Sequence, residues 1–346
     1  MLYKEYIKIS NLIIHHVGNK FNQDNYRLSK NSIELGVELK QLLTSYFISQ
    51  FKSDEYFIMN HEIDLKMNEI YVCVGNIFRN QNSFLTESQN MAKHLYEQST
   101  HPKIKSGEFY VVSFKDCILD GDTVDAVGLF KTENKETFLK VYPSGDSFEI
   151  ESQQGVNINK LDKGCLIFNK EKESGYVVAV VDNTNKGTEA KYWTEDFLHV
   201  KPRNDEYSNT KNVLSLTKNF VMQELPQHFE VSKADQVDIL NKSVDFFKKN
   251  EKFDISDFAK EVIGKQEVID SFNLYKTGYE QAIEMAIQDQ FAISESAVKK
   301  QARSLKRIIK LDKNFDILIH GTRDLIEQGI EEDGRKYYKI YYREES

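Results

Sequence analysis

Several things are scarce in this 346-residue chain, and each scarcity narrows what the protein can be. There are three cysteines, Cys73, Cys117 and Cys165, far apart and odd in number. With no C-x-x-C pair, neither a disulfide framework nor a structural zinc site is indicated, and three reduced, mostly buried thiols are expected. Only four prolines occur, and there is no low-complexity tract, so disorder should be confined to short linkers and termini. No apolar run approaches the roughly 20 residues of a membrane helix. The opening M-L-Y-K-E-Y-I-K lacks the apolar core of a signal peptide, so a cytoplasmic protein without membrane contact is expected. The sequence contains no G-x-S-x-G, Walker A or G-x-G-x-x-G pattern.

Basic residues are also in the minority. The chain carries 46 Lys and Arg against 54 Asp and Glu, a net charge of −8. A protein that coats itself in nucleic acid is usually basic overall, so any contact with DNA must use a local patch. Such a patch is present from Ser294 to Lys313, S-E-S-A-V-K-K-Q-A-R-S-L-K-R-I-I-K-L-D-K. Ser294 can cap a helix, and Glu295 suits the dipole of its first turn. At about 100° per residue, Lys299, Arg303, Lys306, Lys310 and Lys313 share one face, flanked by Lys300 and Arg307, over an arc of roughly 140°. Val298, Ala302, Leu305, Ile308 and Ile309 take the other side. Charged runs are usually solvated faces, but most of those mix signs, and this arc carries almost no acid. These seven cations are the candidate DNA-contacting residues.

Along the chain, Glu5 to Val17 alternates as a strand would. Helical spacing runs from Ser29 to about Phe51 through Ile33, Val37, Leu42, Tyr46 and Phe47, and returns near Leu65–Arg79 and Phe84–Ser99. After His101-Pro102 the pattern becomes strands and turns, Glu108–Lys115, Thr123–Thr132, Thr137–Tyr142, Ser147–Gly155, Gly164–Asn169 and Gly175–Val181, broken at Asp120-Gly121, Pro143-Ser144-Gly145-Asp146 and Glu173-Ser174-Gly175. Consecutive strands with short turns predict an antiparallel sheet, which flanking helices make α+β. The polar stretch 201–210 reads as a linker between an α+β domain (1–200) and a mostly helical domain (211–346). In the second domain Ser232 and Asp235 resemble a capping box, and helices are expected over Val237–Phe247, from Ile255 to Gly264 and over Gln266–Ile287. The basic helix 294–313 follows, then a strand through Phe315, Ile317 and Ile319, a short helix from Thr322 to Gly329, and a last strand from Lys336 to Tyr342.

Catalytic and metal-binding arrangements find little support. His15 and His16 are neighbours on a strand and face opposite ways, so they cannot easily share a metal. His94 and His101 have no carboxylate at ligand spacing. Asp125, Glu133 and Lys135 form a D-x(7)-E-x-K array that could hold Mg²⁺ and position a water for phosphodiester attack, but E-x-K is frequent in a chain with 29% charged residues. Tyr337, Tyr338, Tyr341 and Tyr342 could stack on unpaired bases, although a strand at this spacing more often buries one pair and exposes the other. No cofactor is expected.

Several segments together resemble the bacterial nucleoid-associated protein family of the NdpA type (37-kDa nucleoid-associated protein). They are I-I-H-H-V-G-N-K (Ile13–Lys20), A-K-H-L-Y-E-Q-S-T-H-P-K-I-K-S-G-E (Ala92–Glu108), G-V-N-I-N-K-L-D-K-G-C-L-I-F-N (Gly155–Asn169), V-V-D-N-T-N-K-G-T-E-A-K-Y-W (Val180–Trp193) and the stretch Ile293–Phe315. The resemblance implies a cytoplasmic DNA-binding protein of the bacterial nucleoid with no established catalysis, and carries over no site residue. The expected function is non-enzymatic binding of duplex DNA with little sequence specificity. A metal-dependent nuclease using Asp125, Glu133 and Lys135, and an adaptor for another DNA-acting protein, are the alternatives. Partners to consider are double-stranded DNA, a second copy in a homodimer, and a protein partner in DNA maintenance.

Overall fold

A computed structural model describes residues 2–184, 191–305, 308–319 and 323–344. The chain forms two compact units, Met1–Arg203 and Asn204–Ser346. Both mix helices with antiparallel strands, an α+β architecture.

The first unit is built on one antiparallel sheet. Its strands are β1 (Leu2–Tyr3), β2 (Lys8–Val17), β3 (Tyr56–Met59), β4 (Gly107–Leu119), β5 (Asp122–Thr132), β8 (Lys163–Phe168), β9 (Val177–Asp182) and β10 (Val200–Pro202). Their order is β1-β4-β5-β8-β9-β3-β10, with β2 also pairing β4. Between β5 and β8 the chain makes a separate two-stranded ribbon, β6 (Glu136–Ser144) and β7 (Ser147–Gly155). Helix α1 (Val37–Ile48) covers one face of the sheet, and α2 (Glu69–Arg79) with α3 (Phe84–Gln98) covers the other. Successive residues alternate between the two faces. Ile13, Val111, Leu129 and Ile167 pack with Ile70, Val74, Met91 and Leu95, whereas Leu12, Val112, Phe130 and Leu166 pack with Phe47. Because both faces are buried, the central strands read as continuous apolar runs rather than alternating ones. Of the adjacent histidines, His15 is buried and His16 exposed, as opposite directions on β2 require.

The expected helix from Ser29 is shorter, starting at Val37, and the segment before it is irregular. The 65–79 stretch is a short 3₁₀ turn, Leu65–Met67, followed by α2. Buried Asn68 separates them. Its side chain accepts the Tyr71 N–H at 2.9 Å, capping α2, and donates to the carbonyls of Leu198 and Asn60. Most of the segment expected as a linker lies within elements. Lys201 and Pro202 pair with Ile58 and Phe57, and Asp205 caps the next helix by accepting the Ser208 N–H. The boundary between the two units, Arg203/Asn204, falls within that stretch, whose polar residues belong to an edge strand and a helix cap.

The second unit contains α4 (Glu206–Asn219), α5 (Leu225–His228), α6 (Lys233–Lys249), α7 (Ile255–Phe258), α8 (Gln266–Ala282) and α9 (Glu295–Ala302). The capping box at Ser232 and Asp235 is formed. Gly264, at φ +86, closes the turn after α7. The core is rich in phenylalanine; Phe253 stacks on Phe247 and on Phe291, with centroids 5.3 and 4.7 Å apart. Among the described residues, three two-stranded sheets complete the unit: β11 (Lys252–Asp254) with β12 (Gln290–Ala292), and the hairpins β13 (Ile308–Leu311) with β14 (Phe315–Leu318) and β15 (Ile326–Ile330) with β16 (Lys336–Ile340). Ile309, Ile319 and Ile326 form a second, smaller core against Ala234 and Val237 of α6.

Two expectations fail here. The continuous basic helix 294–313 ends at Ala302, and the chain turns and becomes strand β13 at Ile308. Ser304 turns back, its N–H and hydroxyl both donating to the Gln301 carbonyl at 2.8 Å. The β-branched pair Ile308-Ile309 then favours extended backbone. Leu305 and Ile309 are both buried, as helical spacing requires, but in different cores. The short helix expected up to Gly329 is likewise mostly strand, since Ile326–Ile330 pairs with β16. The expected cap at Thr322 lies outside the described residues.

Candidate nucleic-acid interface

Helix α9 begins at Ser294, whose hydroxyl accepts the Ala297 N–H at 3.4 Å. Ala297 and Val298 are buried, and this anchoring turns the opposite side outward. Lys299, Lys300 and Arg303 are exposed on it. Lys299 lies 3.2 Å from Glu295, one turn back, with both side chains well exposed, so the pair adds little stability. The Lys300 ammonium stands 5.9 Å from the Tyr207 ring centroid. Lys310 and Lys313 are also exposed, but on the β13–β14 hairpin, where Lys310 is directly opposite Asp316. Lys306 and Arg307 lie outside the described residues. The described candidates are therefore all at the surface of the second unit, divided between a helix and a hairpin. Over 294–313 there are seven cations and two acids, Glu295 and Asp312, a local charge of 7 − 2 = +5 in a chain whose total is −8.

The nuclease-like array is not assembled. Asp125 and Glu133 are eight positions apart along and just past β5, about 26 Å at strand rise. Asp125 is paired with Lys115, at 2.5 Å, and Lys135 with Glu108, at 2.7 Å. Glu133 is buried with Lys131. Among the described residues, no group of three or more His, Cys, Asp or Glu side chains is placed to hold a metal ion. The terminal tyrosines divide unequally. Tyr338 is half-buried against the smaller core, while Tyr337, Tyr341 and Tyr342 are exposed.

Sequence reasoning missed an interior charge network in the first unit. Lys131 and Lys163 are fully buried and directly opposite each other on β5 and β8, a like-charge pair that alone would destabilise the sheet. Lys131 donates to the Lys105 carbonyl at 2.8 Å and lies 3.2 Å from Glu133, while Lys163 meets Asp182 at 2.7 Å. Tyr192 sits between them: its hydroxyl donates to Glu133 at 2.8 Å, and both ammoniums lie within 5.5 Å of its ring centroid. Burial lowers the Lys131 pKa, with Glu133 opposing that shift, and burial followed by Glu133 raises the Tyr192 phenol well above its usual range. The network fastens the ends of three strands to the π-helical segment Tyr192–Phe197. Its sequence signal was a lysine inside an otherwise apolar strand, G-L-F-K-T and D-K-G-C-L-I-F. Beside it, a hollow of about 580 Å³ is lined by Lys103, Lys105 and Lys160 and equally by Glu133, Glu136 and Asp162, so it offers no net attraction to a polyanion.

The model of a family described as nucleoid-associated protein YejK matches residues 13–335. No curated protein matches the chain.

Proposed function

The chain belongs to the nucleoid-associated protein family, and from that premise we propose that it binds duplex DNA through phosphate contacts, reads little sequence and catalyses no reaction. Family membership gives it a nucleoid-associated role. The observation that carries the DNA reading is the local charge of +5 over 294–313, with Lys299, Lys300, Arg303, Lys310 and Lys313 all exposed. Phosphates are met by exposed, mobile cations, and such contacts fix position without reading bases. The strongly acidic remainder repels DNA and confines contact to that patch. For the non-enzymatic reading, the support is that Asp125, Glu133 and Lys135 are each engaged by a different partner in a different place.

Duplex binding measured by fluorescence anisotropy across a salt series tests the proposal. If each chain neutralises about four phosphates, log K falls against log salt with a slope of about −4. Arg303→Glu combined with Lys310→Glu weakens binding at least tenfold, about 1.4 kcal/mol, and leaves the fold intact. A flat salt response, or full affinity in the folded double variant, would place the DNA surface elsewhere. Plasmid incubated with Mg²⁺ or Mn²⁺ stays uncut; nicking abolished by both Asp125→Ala and Glu133→Ala would establish catalysis instead.

A further inference from the structure

The β6–β7 ribbon has one finished face and one unfinished face. It pairs with no other strand among the described residues. Residues opposite each other in an antiparallel pair point to the same side. On one side Tyr142 donates to Glu149 and Glu151, Ser144 bonds Glu149, and the Phe138 ring covers Gly155. On that side Tyr142, Ser144, Glu149 and Glu151 bond one another, which suits water. The other side carries the pairs Leu139↔Ser152, Val141↔Ile150 and Pro143↔Phe148. It holds no charge, and Leu139, Val141, Phe148 and Ile150 are 66%, 58%, 70% and 66% exposed. An isolated two-stranded hairpin is marginal in water, and one displaying a continuous apolar face calls for a cover.

We propose that this face packs against the same face of a second copy of the chain, making the ribbon a self-association arm. Three observations choose this occupant. First, the arm is unsuited to DNA: residues 136–155 contain four acids, Glu136, Asp146, Glu149 and Glu151, and one base, Lys140, a net of 1 − 4 = −3. Second, face-to-face packing puts Glu149 and Glu151 of each copy on the outside, in water, whereas edge-to-edge pairing of two β7 strands would bring these acids together. On β6, Pro143 lacks an N–H and blocks strand addition near the tip. Third, the four exposed side chains leave roughly 500 Å² per copy, so two faces bury roughly 1,000 Å², the lower bound of a specific interface. The same patch on both copies is what a two-fold dimer requires.

Sedimentation of the full chain over a concentration series tests the arm. The wild type should show a reversible monomer–dimer equilibrium. Val141→Asp with Ile150→Asp should raise the dimer dissociation constant at least tenfold, with the melting temperature of the body unchanged. Val141→Thr with Ile150→Thr keeps the β-branched shape and thus the ribbon; it should weaken the dimer in the same direction. A wild type that stays monomeric throughout, or a dimer that neither variant weakens, would overturn the proposal. So would variants that lose DNA affinity with the oligomeric state unmoved, since the ribbon would then be a DNA element.

Discussion

Acidification should loosen the first unit through one histidine, and replacing it should remove that part of the response. His15 is 1% exposed on β2. Its Nδ1 accepts the Ser29 N–H at 3.0 Å, so the proton sits on Nε2, which donates to Ser88 Oγ at 3.1 Å; Ser88 in turn donates to the Leu85 carbonyl at 2.7 Å. A second proton would have to enter at Nδ1, facing the Ser29 N–H. Burial accordingly pushes the His15 pKa down to about 4. An unfolded histidine titrates near 6.5. Between those values the unfolded chain binds more protons than the folded one, so stability present above pH 6.5 is lost as pH falls to about 4. The gap of about 2.5 pH units corresponds to at most about 3 kcal/mol. Trp193, the single tryptophan, is fully buried in the same core cluster as the β2 residues Ile13 and Val17, so its fluorescence reports this unit. Urea unfolding followed at Trp193 would compare the wild type with His15→Asn, whose Oδ1 can still accept the Ser29 N–H but cannot be protonated. Carboxylates titrate in both proteins and cancel in the difference. The wild type should lose about 2–3 kcal/mol more than the variant between pH 7 and pH 4. Parallel pH profiles would refute the argument.

Removing the ammonium in Lys131→Met should destabilise the first unit by about 3–5 kcal/mol in urea unfolding, because Glu133 is left buried without its cation, and adding Glu133→Leu should recover much of that loss. In the second unit, Leu305→Asp should lower the melting temperature sharply, since Leu305 is 5% exposed in the helical core, while Arg303→Glu two positions earlier should barely move it. Gly175→Ala should cost well over the roughly 1–2 kcal/mol of a left-handed residue, because φ is +109 and the new Cβ would lie 2.1 Å from the Met59 carbonyl oxygen. Gly121→Ala, at φ +86 in the two-residue β4–β5 turn with open space around it, should cost only about that amount, and differential scanning calorimetry of the two would show the gap.

Legibility in the sequence followed the physics of each element. The strands from Glu108 to Val181 were readable because turn residues bracket them, even though two buried faces erase alternation. Ser232–Asp235 was readable because a capping box is local in sequence. Short strands β3 and β10 were not, since four and three residues carry no period, and their stability comes from partners distant in the chain. The basic stretch misled for a specific reason: Leu305 and Ile309 satisfy helical spacing while belonging to separate cores. Its exposed charge was legible all the same, because Lys299, Lys300 and Arg303 face out from a helix and Lys310 and Lys313 from a hairpin. The Lys131–Tyr192 network needed tertiary structure, since its members come from positions 61 residues apart.

The thiols give this protein an internal gauge. Cys73, Cys117 and Cys165 are free, buried and confined to the first unit. Burial raises all three, Cys117 to about 12, so none presents a thiolate at neutral pH. A thiol reagent can then reach them only in moments when the sheet and its covering helices part. Modification rates therefore count those openings, position by position, and are blind to the second unit. DNA held by the basic patch would leave the rates unchanged, unless binding is coupled to the breathing of the sheet.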